Sequence, residues 1–400
     1  MRLSTRAYEV PPSPIRKLVP FADEAKRRGL YVYHINIGQP DIETPQSFWN
    51  AVHSYPAKVL EYGNSKGLPE YRKYLAKYYQ DNEIDVDPEH LIVTTGGSEA
   101  IMFAMLAVTD PGDNIIVFEP FYTNYNGYAV MTDIQLKPVT TKPETGYHLP
   151  PEEEIEAKID ERTRAILVCS PNNPTGTVLT EEELKTIARI AERHDLFVIA
   201  DEVYREFVYE GKHTSILHLP ELSERGIIVD SISKRFSACG ARIGAVVSKN
   251  DEVIEAITKM AQARLCPPTI EQYAAQAVLM QLTEDYFRQM VEEYRHRRDA
   301  TYEELMKIPG VVCEKPSGAF YIMAKLPLAG SKDVEQFAKF LLTDFEVDGK
   351  TVMVAPGPGF YATPGLGNTE IRIAYVLESE KMRDAIRILA AGLEKFNSLP

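Results

Sequence analysis

The chain has 400 residues, of which 44% are hydrophobic and 26% are charged, and its formal net charge is −14. This composition is ordinary for a globular protein, and the length favours two closely associated domains. The negative charge argues against a nucleic acid or an anionic membrane as a partner. The N-terminal residues lead into no apolar signal-peptide core, and no apolar run reaches membrane length, so no targeting or membrane segment is expected.

The four cysteines are widely spaced and form no paired motif; they are Cys169, Cys239, Cys266 and Cys313. Their spacing fits neither a zinc site nor a redox dithiol, so no metal is predicted. Scattered cysteines in a long chain are typical of a reducing compartment. The sequence therefore predicts free thiols and a cytoplasmic protein.

The first half of the chain changes character near residue 91. Residues 1–45 are expected to form an arm in which several prolines precede a short helix over 21–28 and a strand over 31–37. Farther on, apolar runs alternate with helical or loop segments, at 91–94, 115–118, 165–169, 196–200, 227–232 and 243–247. Such alternation favours a largely parallel sheet that is covered by helices on both faces.

The C-terminal part mixes long charged helices with strands. The helix predicted over 286–306 carries charges of both signs, which is typical of a solvated surface. Predicted strands (319–324, 351–354, 370–376) and helices (332–343, 378–396) follow it. We therefore expect an α/β protein with three parts: residues 1–45 as an arm and part of a small domain, 46–285 as a large domain, and 286–400 as the small α+β domain.

Lys234 is the central candidate for chemistry. It stands at the exit of the predicted buried strand 227–232, where parallel sheets present their functional loops. Arg242 follows eight positions later. A neighbouring cation and partial desolvation both disfavour the ammonium form, leaving a nucleophilic amine that can form a Schiff base. Taken alone, this stretch also fits a surface lysine on a turn.

Polar residues follow three other predicted strands. The segment 95–99 is rich in glycine and opens a helix over 100–108, so its free N–H groups can bind an anion; Ser98 is equally explained as a plain N-cap. It fits neither a Walker loop nor the dinucleotide fingerprint. Asn173 lies on a proline-fixed turn that can aim an amide into a cleft. Asp201 directly follows a buried strand, so it needs a cationic or N–H partner, or it caps the next helix.

In their order along the chain, these segments resemble the class I and II aminotransferases, fold-type I enzymes that depend on pyridoxal phosphate. The motifs are Gly-Gln-Pro, Gly-Gly-Ser, Asn-Pro-Thr-Gly, Asp-Glu-x-Tyr, Ser-x-Ser-Lys, Arg and Arg-Ile-Ala, and the resemblance covers nearly the whole chain. The stretch from Tyr62 to Glu70 is similar to a segment of the prokaryotic aspartate-type enzymes. The resemblance implies a large domain with a mostly parallel sheet between helices and a smaller α+β domain.

The resemblance also implies roles for individual residues. Lys234 corresponds to the Schiff-base lysine, and Asp201 to the carboxylate that keeps the pyridine nitrogen protonated. Tyr204 and Asn173 correspond to the groups that hydrogen-bond the ring oxygen, which makes Lys234, Asp201 and Tyr204 the catalytic set. The implied phosphate ligands are Gly97, Ser98, Glu99 (by its backbone N–H), Ser231, Arg242 and Tyr62 of the partner subunit. Tyr122 would stack on the cofactor, and Gly38, Asn173 and Arg372 would bind the substrate.

The sequence departs from the family pattern at three places. Tyr122 stands where aspartate-type enzymes usually have tryptophan, and the segment 239–242 reads Cys-Gly-Ala-Arg instead of Thr-Gly-Trp-Arg. No arginine aligns with the one that reads a dicarboxylate side chain, although Arg264 lies near that region.

We therefore predict a homodimeric aminotransferase with shared active sites. Its substrates would be an L-amino acid, of aspartate type, and a 2-oxo acid such as 2-oxoglutarate. One alternative is a pyridoxal-phosphate-dependent lyase or synthase of the same fold. Another is the effector-binding module of a transcription regulator, but the forty-odd residues before the fold are too few for a DNA-binding domain.

Overall fold

The computed structural model describes residues 1–400 and contains twelve strands. They are β1 (Tyr31–His34), β2 (Leu91–Thr94), β3 (Asn114–Glu119), β4 (Gln135–Thr140), β5 (Thr163–Cys169), β6 (Phe197–Asp201), β7 (Gly226–Ser231), β8 (Gly244–Val247), β9 (Tyr321–Lys325), β10 (Lys350–Met353), β11 (Ala355–Pro356) and β12 (Glu370–Ala374).

Fourteen α-helices connect and cover the strands. They are α1 (Thr5–Glu9), α2 (Val19–Arg27), α3 (Gln46–His53), α4 (Pro69–Asp81), α5 (Gly96–Val108), α6 (Asn124–Thr132), α7 (Glu152–Glu156), α8 (Glu181–Arg193), α9 (Ile232–Arg235), α10 (Asp251–Arg264), α11 (Thr269–Gln281), α12 (Glu284–Leu305), α13 (Val334–Thr343) and α14 (Ser379–Ser398). Short 3-10 helices include Arg16–Leu18 and Gly357–Phe360.

Seven strands form the large sheet, in the order β2-β8-β7-β6-β5-β3-β4. The pairs β7-β6, β6-β5, β5-β3 and β3-β4 are parallel, whereas β8 runs antiparallel to both of its neighbours. Every residue of β3 and β7 is buried, because apolar clusters of 40 and 23 residues pack on the sheet with the surrounding helices. The predicted α/β fold with a mostly parallel sheet is confirmed.

β4 is the strand of this sheet that the sequence did not predict. Pro138 lies near its middle and cannot donate a backbone hydrogen bond, which is unfavourable in a central strand. The structure places β4 at the edge of the sheet, next to β3 only. At an edge the missing donor faces no neighbouring strand, and proline is tolerated there.

A second region combines the beginning and the end of the chain. β1 pairs in parallel with β10, and β11, β12 and β9 form an antiparallel sheet. The largest apolar cluster, of 42 buried residues, contains side chains from the N-terminal arm and from β9 to α14. The arm therefore packs against the C-terminal part of the protein.

The charged helix α12 differs from its predicted role as a solvated surface. Arg297, Arg298 and Glu304 are only 4%, 2% and 5% exposed. Arg297 pairs with Asp41, and Arg298 pairs with Glu210. The prediction was wrong for these residues because acidic partners far away in the sequence, together with backbone carbonyl acceptors, offset the cost of burying the guanidinium groups.

Three further properties bear on function. All four cysteines are free thiols. No cluster of acidic, histidine or cysteine side chains is arranged to hold a metal ion. Among the helices, none combines the length and the apolar character needed to cross a membrane.

Candidate active site

A cavity of about 440 Å³ opens at the carboxyl ends of β6 and β7. Because neighbouring parallel strands end at the same edge of a sheet, the residues that follow them meet there. The structure brings together eleven of the predicted site residues in its lining, namely Gly38, Gly97, Ser98, Tyr122, Asn173, Asp201, Tyr204, Ser231, Lys234, Arg242 and Arg372.

Two predicted site residues do not line this cavity. The carboxylate of Glu99 accepts hydrogen bonds from the backbone N–H of Thr95 (2.8 Å) and from Arg264 (3.1 Å), while the backbone of Glu99 lies in the first turn of α5. Tyr62 is 83% exposed on the surface. Its predicted place in the site of a partner subunit stays a prediction.

Arg264, the arginine considered as a reader of a substrate side chain, also lies outside the cavity lining. Its guanidinium binds Glu99 and donates to the carbonyl oxygens of Ser65 and Val93, at 3.1 and 3.2 Å. The side chain therefore connects segments of the protein rather than facing this cavity.

Lys234 belongs to the short helix α9, directly after β7. Ser231 caps this helix, since its hydroxyl oxygen accepts from the backbone N–H of Ser233 at 3.1 Å. The Nζ of Lys234 donates to the carbonyl oxygen of Gly38 at 2.8 Å and lies 3.8 Å from the Sγ of Cys239. The amine is thus held in the cavity by one backbone carbonyl, with no carboxylate paired to it.

Gly38 is required to be a glycine by its surroundings. A Cβ at this position would lie 1.7 Å from the hydroxyl oxygen of Tyr321 and 2.4 Å from the ring carbon that carries it. Any side chain would displace either Tyr321 or the carbonyl that holds Lys234. The glycine therefore allows the backbone at position 38 to lie directly against the side chain of Tyr321.

Asp201 is the single carboxylate of the cavity lining and is 3% exposed. Its oxygens accept from the hydroxyl of Tyr125 at 2.7 Å and from the backbone N–H of Val203 at 3.3 Å. Burial raises the pKa of this carboxyl to about 6, against the opposing effect of the two donors. No cation of the protein forms an ion pair with this carboxylate. It can therefore accept a hydrogen bond from a positively charged N–H group of a ligand.

Arg372 is a buried cation with no anionic partner. It is 2% exposed, and its two terminal nitrogens donate to the side-chain oxygen of Asn173 (2.9 Å) and the carbonyl oxygen of Asn36 (2.6 Å). Its Nε has no hydrogen bond, and burial lowers the pKa of the guanidinium. A buried charge without a partner is costly, which favours the binding of a carboxylate at this point.

Two tyrosines connect these groups. The hydroxyls of Tyr204 and Tyr321 lie 2.8 Å apart, and the ring centroid of Tyr321 lies 4.5 Å from the guanidinium carbon of Arg372. Burial raises the pKa of the Tyr204 hydroxyl well above its usual value. Tyr204 is therefore a neutral hydrogen-bonding group at neutral pH.

An anion cradle forms where α5 begins. Gly96 has a φ of 76°, and a Cβ there would lie 2.3 Å from a terminal nitrogen of Arg242. The guanidinium thus lies directly against the N-terminus of α5, where the first N–H groups have no partner within the helix. A helix N-terminus beside an arginine can bind an anionic group such as a phosphate.

Sequence reasoning missed three residues of the site. Tyr125 lies one helical turn after Tyr122, and that spacing could have indicated it. Tyr321 meets Tyr204 across more than a hundred residues of chain, and no local signal predicts such a contact. Arg16 lines the cavity from the N-terminal arm, in which the sequence analysis had assigned a role only to Gly38.

The mostly parallel sheet and the cavity at the ends of its strands have the architecture of fold-type I enzymes. The sequence model of the family "Aminotransferase class I and II" matches residues 32–389. The chain belongs to this family and is a pyridoxal-phosphate-dependent aminotransferase. The lyase or synthase alternative and the regulator alternative are not favoured.

Relatives match over the full length of the chain. The aspartate aminotransferase of Bacillus subtilis is 33% identical, with 99% of this chain and 100% of the relative covered. A mutant aspartate aminotransferase of Thermus thermophilus superimposes with a TM-score of 0.89 at 32% identity, over 98% of this chain and 100% of the other. An alanine aminotransferase of Pyrococcus furiosus superimposes with a TM-score of 0.90, also at 32% identity and with the same coverage.

Proposed function

We propose that this enzyme transfers the amino group of an aspartate-type L-amino acid to a 2-oxo acid such as 2-oxoglutarate. The observation that carries the proposal is the buried, unpaired guanidinium of Arg372, in the same cavity as the amine of Lys234. The α-carboxylate of an amino acid or a 2-oxo acid supplies the missing anion and can bind guanidinium by two hydrogen bonds. The names of curated relatives support the aspartate class.

The residues of the cavity fit pyridoxal phosphate. The N-terminus of α5 with Ser98, Ser231 and Arg242 would hold the phosphate, and Tyr122 would stack on the ring. The ionised carboxylate of Asp201 is disfavoured by burial, and the protonated ring nitrogen would be its partner. When bound, the cofactor supplies an aldehyde that condenses with amines and a ring that withdraws electrons.

The protein side chains would transfer the proton, bind the ring oxygen and orient the substrate. Lys234 Nζ would take the proton from the substrate Cα and release it again. In the cofactor-free protein the carbonyl of Gly38 holds this amine in the cavity. Tyr204 and the amide N–H of Asn173 would donate hydrogen bonds to the ring oxygen of the cofactor. Arg372 orients the substrate, so the Cα–H bond is presented to Lys234.

We further propose a homodimer with shared active sites. Val59, Leu60 and Tyr62 lie in one short segment and are 66%, 60% and 83% exposed. Exposed apolar side chains in a group are typical of a contact surface, and a second copy of this chain would bring Tyr62 to the phosphate.

The domain division predicted from the sequence and the location of the protein also remain proposals. Separate apolar clusters around the large sheet and around β9–α14 support a large domain over 46–285 and a small domain over 286–400 completed by the arm 1–45. The free cysteines support a cytoplasmic location.

Single-turnover spectroscopy tests the proposed reaction. The purified protein, loaded with pyridoxal phosphate, is mixed with L-aspartate, and the cofactor absorption should convert fully and return when 2-oxoglutarate is added. Lys234→Ala should abolish both conversions, whereas Lys259→Ala, at an exposed helical position, should not. Release of ammonia with no need for a 2-oxo acid would instead indicate elimination chemistry and contradict the proposal.

A further inference from the structure

Arg16 is the one cation of the cavity without a task in the proposed reaction. Four cationic side chains line the cavity, namely Arg16, Lys234, Arg242 and Arg372, together with a single carboxylate, that of Asp201. Lys234, Arg242 and Arg372 serve the amine chemistry, the phosphate and the α-carboxylate. The positive charge of Arg16 has no role among these, and its side chain lines the cavity in which the substrate would bind.

The N-terminal arm fixes the place of Arg16. Pro14 packs on Gly359 so closely that a Cβ at Gly359 would lie 2.4 Å from the proline ring. Ile15 packs against the small apolar cluster that contains Phe360, and the ring centroid of Phe360 lies 4.8 Å from the guanidinium carbon of Arg372. The arm is therefore anchored on the element that also supports the α-carboxylate site.

The guanidinium of Arg16 is free within the chain. Its neighbour Lys17 pairs with Glu335 on α13, whereas the Arg16 side chain makes no ion pair and no hydrogen bond. Arg264, by contrast, has all its contacts inside the protein. Of the two arginines, Arg16 is the one available to a ligand.

We infer that Arg16 binds the side-chain carboxylate of a dicarboxylic amino acid while Arg372 binds the α-carboxylate. The inference rests on the proposed function, since it concerns the same cavity and the same reaction. Two guanidinium groups at separate points of one cavity distinguish a dicarboxylate from an amino acid with an apolar side chain. Arg16 would thus determine specificity without taking part in the proton transfers.

The test compares acidic and neutral substrates in the pyridoxal-phosphate-loaded enzyme. Arg16→Gln should lower kcat/KM for L-aspartate and L-glutamate about 10- to 100-fold. This is the usual effect of losing one charged hydrogen-bonding pair. The loss should appear mainly in KM. The value for L-alanine should change less than about threefold, and Arg16→Lys should restore part of the activity with aspartate.

Lys17→Gln is the matched control, because it removes the same charge from the adjacent position of the arm. It should leave the ratio of aspartate to alanine activity unchanged. Equal losses for acidic and neutral substrates, or weaker binding of the cofactor to Arg16→Gln, would overturn the inference; the latter would place Arg16 at the phosphate. Failure of the wild-type enzyme to react with any amino acid would instead refute the proposed function itself.

Discussion

The guanidinium of Arg235 lies 4.2 Å from the ring centroid of Tyr78 and forms an ion pair with the buried carboxylate of Asp230. Arg235 directly follows Lys234 in the sequence but faces the other way, into the protein. The helix α9 is thus held from behind by an arginine that is 1% exposed, while its lysine enters the cavity. The position of the reactive amine depends on an interaction that substrate never touches.

The same alternation recurs after β6. Asp201 and Tyr204 line the cavity, whereas their neighbours Glu202 and Arg205 are 2% and 6% exposed and belong to the polar network behind it. The hydroxyl of Ser215 and the backbone N–H of residue 216 donate to Glu202. Residues that line the cavity and residues that build the network behind it are therefore neighbours in the sequence.

Removing Arg235 should destabilise the protein strongly. Arg235→Leu would leave the carboxylate of Asp230 buried with one donor fewer, and breaking a buried pair in this way costs about 3–5 kcal/mol. Urea unfolding of the cofactor-free protein measures the loss. Arg288→Leu, which removes an exposed arginine paired with Asp285, should cost less than about 0.5 kcal/mol. Equal effects of the two changes would contradict the role given to Arg235.

Asp201 should make the stability of the cofactor-free protein depend on pH. Its pKa is raised from the usual 3.8 to about 6 in the folded state, so folding favours the protonated carboxyl, and stability is lost as pH rises between these two values. Asp201→Asn removes this loss. Its advantage over wild type should grow by about 2 kcal/mol between about pH 4.5 and pH 7.5. Asp85→Asn, at an exposed position, should show no such trend.

Tyr125 should act through Asp201. Tyr125→Phe deletes the hydroxyl that donates to the carboxylate at 2.7 Å, and because this donor lowers the pKa of Asp201, the pKa should rise further. The acidic limb of the kcat/KM profile should move to higher pH, with a maximal rate about 3- to 10-fold lower. Tyr128→Phe, on the same helix, serves as the control; an identical shift in that variant would exclude a specific role.

Gly38→Ala should inactivate the enzyme without unfolding it. The added Cβ would meet the hydroxyl of Tyr321 at 1.7 Å and displace the carbonyl that binds Lys234. A misplacement of this size in an active site costs about a hundredfold in rate or more. Gly127→Ala, at a position where a Cβ meets nothing within 4 Å, should keep full activity. Circular dichroism of both variants checks that the fold is retained.

Mixing two inactive variants should restore activity if active sites are shared. Heterodimers of Tyr62→Ala and Lys234→Ala would have one site with both defects and one intact site. After exchange of subunits in an equal mixture, about a quarter of the wild-type activity is expected, from statistical pairing. An enzyme that is active while monomeric at micromolar concentration would contradict the shared site.

Much of the site could be predicted because its chemistry follows the ends of strands. Lys234, Asp201 and Asn173 each come directly after an apolar run, and parallel strands necessarily bring such positions together. Gly38 and Arg372 come from equally distant parts of the chain and were indicated only by their match to family motifs. Tyr321 and Arg16 lie in no such motif, so the sequence did not indicate them. Their positions depend on how the C-terminal region and the arm pack, which no local pattern records.

The fold, too, was predictable in some parts and not in others. Long periodic helices and buried strands were predictable, whereas β4 was hidden by Pro138, which only an edge position tolerates. In α12, the pattern of charges around Arg297 looked like a solvent-facing surface. Asp41, which neutralises it, lies more than two hundred residues away and carries no signal of that contact.

The packing of Pro14 on Gly359, which anchors the arm, affects how this enzyme can be engineered. Changes made to the N-terminal arm alter the wall of the cavity when they reach residues 13–16. The same segment is a compact target for directed evolution. Libraries at Ser13 and Arg16 would vary the wall of the cavity while keeping Pro14 and Ile15, which anchor the arm.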